Sequence, residues 1–109
     1  MSLLNDREFA QLADTVFRTL EAVLDTTEAD LDYELVAGGV LQLEFSNGSQ
    51  IIINRQAAAH EIWVAAKSGG FHYRWDGQHW RDTKSGEELF DALSGFATAQ
   101  AGEPVDLVP

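Results

Sequence analysis

Apolar residues in the first quarter of the chain recur at three- and four-residue steps: Phe9, Leu12, Ala13, Val16, Phe17, Leu20, Val23 and Leu24. That period lays one stripe along a helix and predicts an amphipathic helix over about residues 5 to 25. Asn5 as N-cap, Glu8 at the third helical position and Leu4 spaced to meet Phe9 mark its start as a capping box with a hydrophobic staple. From Leu31 the period falls to two. Leu31, Tyr33 and Leu35 alternate with Asp32, Glu34 and Val36, and Leu41, Leu43 and Phe45 with Gln42 and Glu44, across a Gly38-Gly39 break. Two antiparallel strands follow from that alternation.

Asn47-Gly48 is a strong hairpin signal leading into a third strand, Gln50 to Asn54. The sequon Asn47-Gly48-Ser49 is formally a glycosylation acceptor, but the turn explains it. Further strands are expected at Glu61 to Lys67, Phe71 to Trp75 and His79 to Asp82, separated by Ser68-Gly69-Gly70 and Asp76-Gly77. Ser85 and Glu88 are spaced as a second capping box, ahead of a stripe of Leu89, Phe90, Leu93, Phe96 and Ala97 that ends before Gly102. Connections this short exclude crossover helices, so the sheet is antiparallel. The expected fold class is α+β: one domain over 1–109, a two-layer sandwich with two helices packed on one face of about six strands. The other face of the sheet stays open to solvent or a partner.

Charge then changes the picture. Eighteen acidic residues against 7 basic ones give a net charge of −11, which repels phosphate backbones and anionic membranes and attracts cations or basic protein surfaces. Neither nucleic acid nor membrane is an expected partner, although an acidic chain of this kind could imitate nucleic acid. Cysteine is absent, so thiolate ligands, cysteine nucleophiles and disulfides are excluded. The opening "MSLLNDREF" resembles neither a secretory signal nor a mitochondrial presequence, and no apolar run reaches the ~18 residues of a membrane span. A cytoplasmic bacterial protein is expected.

The acids are unevenly spread. Asp25, Glu28, Asp30, Asp32 and Glu34 fall within ten positions without a Lys or Arg. On a helix, Asp14, Glu21 and Asp25 lie within roughly 40° of one another, and Asp30, Asp32 and Glu34 share one side of the next strand by period two. If that strand is the sheet edge beside the helix, the rows merge into one anionic ridge. A solvated face that keeps the protein soluble is the plain alternative, but such faces mix signs and this band does not. All-oxygen ligands suit hard cations such as Fe³⁺, Fe²⁺, Mn²⁺, Ca²⁺ or Mg²⁺, bound weakly and at several places on an open ridge.

The spacing fits no EF-hand. His60, His72 and His79 are scattered and read as surface or turn residues. No nucleophile motif or phosphate-binding glycine loop is present. On the open sheet face, Trp63 falls opposite the core set Ile62, Val64 and Ala66. Beside Asn54 and Gln56 it is a candidate protein anchor, with core packing as the alternative. Trp75 and Trp80 read as structural.

"NDREF", "DLDYEL", "NGSQIIINRQ", "HEIW", "KSGGFHY" and "SGEELFDAL" ahead of "AQAGE" together resemble the bacterial frataxin family over nearly the whole chain. The resemblance implies an α-β sandwich, an iron-binding acidic ridge, a role in iron-sulfur cluster assembly, and binding to a cysteine desulfurase and an iron-sulfur scaffold protein. It places Glu21, Asp25, Glu28, Asp30, Asp32 and Glu34 on the ridge with Asp6 near its start, and Trp63, Asn54 and Gln56 at partner contacts. Ala10 stands where a relative carries a histidine, and Ala22, Thr26 and Thr27 thin the ridge. A regulator that is not an enzyme, monomeric without iron, is the expectation; the alternative is a ferroxidase or iron-storage protein that oxidises Fe²⁺ and oligomerises with iron.

Overall fold

The computed structural model describes residues 4–109. A first helix, α1, spans Asp6–Thr26. The strands follow as β1 (Leu31–Val36), β2 (Val40–Phe45), β3 (Gln50–Gln56), β4 (Glu61–Ala66), β5 (Gly69–Trp75) and β6 (Trp80–Asp82), and helix α2 (Leu89–Ala101) follows them. The six strands form one antiparallel sheet in chain order, so β1 and β6 are its edges. A single 3₁₀ turn, Ala57–Ala59, joins β3 to β4.

Local chemistry accounts for most boundaries. The Asn5 side chain accepts from the Glu8 amide, and the Glu8 carboxylate accepts from the Asn5 amide, which satisfies two donors at the α1 terminus. The β2–β3 hairpin turns through Ser46–Gly48 and is closed by Gly48 N–H and Phe45 N–H donating to Phe45 and Ser49 carbonyls. Gly48 takes φ +86° there, a left-handed conformation that L side chains rarely adopt.

The second capping box does not form. Glu88 is itself the N-cap of α2, its carboxylate accepting from Phe90 and Asp91 N–H. Ser85 is drawn instead into a tight turn whose Lys84 and Ser85 amides donate to Asp82 Oδ1.

The apolar stripe of α1 (Phe9, Ala13, Val16, Phe17, Leu20, Leu24) and that of α2 (Leu89, Ala92, Leu93, Ala97) are buried. With them lie Leu41, Leu43, Ile51, Ile53, Ile62, Val64 and Tyr73, one alternating set from each inner strand. Both helices therefore cover one face of the sheet, as the pattern requires. Trp80 is buried with its ring edge-on to Phe9, and Trp75 packs partly buried beside Trp80. Beyond α2, Val105 and Leu107 also enter the core, a contribution the periodicity does not reveal.

Gln100 is a buried polar residue. Its side chain accepts from Lys67 N–H at 3.0 Å and donates to the Gln50 carbonyl and Ser49 Oγ at 3.1 Å each. The Asn47 amide donates to the Gln100 carbonyl at 2.7 Å. The end of α2 is thereby stapled to the β2–β3 and β4–β5 hairpins at one end of the sheet.

Candidate metal ridge and partner interface

The sheet edge separates the candidate acids into three groups. Glu21 and Asp25 lie on α1 above the helix-covered side of β1, where the Tyr33 hydroxyl donates to Asp25. That bond, with partial burial and the charges of Asp25 and Glu21, pushes the phenol up to about 12. Asp32 and Glu34 point the other way. Leu31 and Tyr33, between which they alternate, pack against the core, so the two carboxylates lie on the open face. There they line a polar depression with Gln42, Glu44 and Gln50. Glu28 and Asp30 are exposed in the connection from α1 to β1, Asp30 just outside the strand. The acids thus wrap the β1 edge.

Two expected members stand apart. Asp14 is paired with Arg55 Nη1 at 2.6 Å, while that guanidinium lies 4.7 Å from the centre of the Phe17 ring. Arg55 reaches it because it sits opposite core residue Ile62 and so projects to the helix side. Asp14 therefore leaves the row of unmatched charges. Asp6 lies about 28 Å along the helix from Asp25, at 1.5 Å rise per residue. Its partner is His60, whose Nε2 is 2.8 Å away and whose ring stacks on Phe9 with centroids 5.3 Å apart.

Glu44, missed as a ridge residue, sits directly opposite Asp32 across β1 and β2. The period-two pattern placed it on the outer set but could not supply the register. None of Glu21, Asp25, Glu28, Asp30, Asp32 and Glu34 forms an ion pair among the described residues. Nor do three His, Cys, Asp or Glu side chains converge among them to hold an ion. Such an edge attracts cations by its summed field and gives no closed coordination shell.

The second surface is the open face of β3 to β5. Register places Asn54 opposite Trp63 and Trp63 opposite His72, with Gln56 opposite Glu61 and Glu61 opposite Arg74. Trp63 is half-buried and outside the core, so the three expected contact residues share one patch. His72 is more than a surface residue: its ring lies parallel to the Trp63 indole, 6° apart in plane and 4.2 Å between centroids.

Glu61, also missed, is only 4% exposed on a face otherwise open. Its Oε1 accepts from Trp63 Nε1–H at 2.7 Å and its Oε2 from Arg74 Nε–H at 2.6 Å. Burial works to raise its carboxyl, but the bonds from Trp63 and Arg74 and the charges of Arg74 and His72 outweigh it and hold the group below its ordinary value.

These arrangements lie in a recognisable chain. A frataxin-like domain model matches residues 2–103. The chain belongs to the frataxin family. The iron-sulfur cluster assembly protein CyaY of Dechloromonas aromatica is 51% identical over 104 residues, 95% of this chain and 99% of that protein. The CyaY protein of Paraburkholderia phymatum is 48% identical over 106 residues, covering 97% and 100%. The frataxin structure from Psychromonas ingrahamii, 39% identical, superposes with a TM-score of 0.88 over 97% of this chain and all of that one. Trimeric yeast frataxin complexed with ferrous iron shares the fold at a TM-score of 0.66 and 21% identity, covering 94% of this chain and 91% of that one. Among the described residues, no helix is long and apolar enough to cross a membrane.

Proposed function

We propose that this chain regulates iron-sulfur cluster assembly, binding iron weakly at several points along the α1–β1 edge and docking on a cysteine desulfurase and its scaffold protein. One observation carries the reading: six carboxylates, Glu21, Asp25, Glu28, Asp30, Asp32 and Glu34, crowd one sheet edge without a cationic partner among the described residues. Like charges so placed repel, and a bound cation or basic protein surface relieves the repulsion. The donors are hard oxygens, which suit Fe²⁺ and Fe³⁺ and also admit Mn²⁺, Ca²⁺ or Mg²⁺. Asp6, tied to His60 at the far end of α1, belongs at most to a separate weak point of attachment.

In this reading the edge steers the chain to a basic patch, and Trp63, with Asn54 and Gln56, anchors contact. Steering charges act chiefly on association and fade with salt, whereas a buried aromatic anchor acts on dissociation. An NMR titration with Fe²⁺ should move or broaden amides from Glu21 to Glu34 first; shifts confined to other regions refute the ridge. Surface plasmon resonance against the desulfurase should show slower association and a flatter salt dependence when Asp30, Asp32 and Glu34 become Lys. Trp63→Ala should chiefly speed dissociation, costing about 2 kcal/mol. Unchanged rates in both variants would refute the docking reading.

A further inference from the structure

Among the described residues Glu61 is the one buried acid of the sheet, and it lies on the face that carries no helix. A carboxylate buried beside an arginine is a poor device for stability, because well-packed apolar replacements of such pairs are often neutral or stabilising. Its contacts converge on the docking patch instead. Oε1 takes the Trp63 indole N–H at 2.7 Å and also lies 3.5 Å from His72 Nδ1, so one oxygen addresses both rings of the stack. Oε2 is held by Arg74 at 2.6 Å, which fixes the carboxylate plane. Arg74 sits directly opposite Glu61 on β5, and His72 directly opposite Trp63, so neighbouring strands brace both members of the pair. A tryptophan on a bare strand would sample several rotamers; this one is tied at its nitrogen and covered by an imidazole on one face.

We propose that Glu61 is a positioning residue for partner docking: with Arg74 it locks the Trp63 indole against His72 and presents it in one orientation, its uncovered side toward Asn54. A shallow depression that runs from Ile52 and Asn54 past Trp63 and Ala65 to Gly70 and His72 adjoins that indole, which gives the partner group a place to seat. Because the aromatic is ordered before the encounter, less side-chain entropy is lost on binding, and affinity rises without any contact from Glu61 to the partner. The inference rests on the reading of Trp63 as an anchor, but the orientation of the indole is measurable in the free protein.

The test is ¹⁵N relaxation of the Trp63 indole N–H in the full chain, alongside surface plasmon resonance against the desulfurase. In the parent protein this N–H should be as ordered as the backbone of β4. Glu61→Ala should release it, giving a markedly lower order parameter and a resonance moved toward that of free indole, and should weaken docking about three- to tenfold. Glu61→Gln keeps an acceptor for the indole and should restore most of both, which a loss of fold would not allow. Arg74→Ala should loosen the indole partly. An indole equally ordered in Glu61→Ala overturns the proposal. So does docking unaffected by Glu61→Ala while Trp63→Ala speeds dissociation, an outcome that leaves the anchor itself standing. If Trp63→Ala changes nothing, the anchor reading fails, and the relaxation data still decide whether Glu61 orients the indole.

Discussion

Replacing Gln100 with alanine removes three side-chain hydrogen bonds at once, to Lys67 N–H, the Gln50 carbonyl and Ser49 Oγ. Each such bond contributes a net of about 1 kcal/mol, and the lost methylene adds about 0.8 kcal/mol of burial. Lys67 and Gln50 lie at exposed hairpin ends where water can replace the lost partner, which trims the sum. A destabilisation of about 3 kcal/mol is therefore expected, or roughly 12 °C in Tm for a domain of this size.

Equilibrium urea unfolding measures it, with Gln100→Glu as control. The control preserves volume and the acceptor to Lys67 while removing the donors to Ser49 and Gln50. Because it buries a carboxylate against the Gln50 carbonyl, it should be no more stable than the alanine variant. Amide exchange at Lys67 should quicken in Gln100→Ala. A cost below about 0.5 kcal/mol, or unchanged Lys67 exchange, would refute the claim that Gln100 ties the two hairpins together.

Other outcomes follow from single groups. Among the described residues the Tyr73 hydroxyl is buried without a hydrogen-bond partner, so Tyr73→Phe should leave stability unchanged or raise it by about 1 kcal/mol in the same urea assay. Asp76 accepts N–H from His79 and Gln78 and a bond from Arg81, which hold it down at about 2 against an ordinary 3.8. Its stabilising effect is therefore complete above the unfolded value and is lost as pH falls through about 2; Asp76→Asn should flatten that acid limb in a pH series of melting curves. Mn²⁺ or Ca²⁺ should raise the Tm of the parent protein by mass action and raise it less once Asp32 and Glu34 are neutralised. Asp14→Asn, by contrast, should leave the cation response intact and cost at most about 1 kcal/mol, because its charge is already matched by Arg55.

Elements whose cause is local were legible in the chain. The α1 capping box, the Gly48 turn and the alternation in β1 to β5 each depend on residues close in sequence, and the strands differ from expectation mainly at their ends: β3 runs on to Gln56, β5 begins at Gly69 and β6 begins at Trp80. The start of α2 was misjudged because Asp82, outside the Ser85–Glu88 window, competes for the Ser85 amide. Features that depend on register stayed hidden. The pairing of Asp14 with Arg55, the position of Glu44 opposite Asp32, and the Trp63–His72 stack over Glu61 all join residues from separate elements. The acids were visible as a group, but which side of the edge each would face awaited the placement of α1.

The strict sequential order of the sheet has a kinetic consequence. Every strand pairs with its neighbour in the chain, so the sheet can zip from one tight turn to the next, each closure adding little entropic cost to the last. That order predicts late docking of the helices, since the whole sheet separates them in sequence while both cover its one apolar face. Truncating buried side chains of α1, such as Leu20, should then chiefly accelerate unfolding, whereas truncations at the β2–β3 turn should slow folding. The open face, with Trp63 upon it, would take its final shape before the opposite face has been roofed.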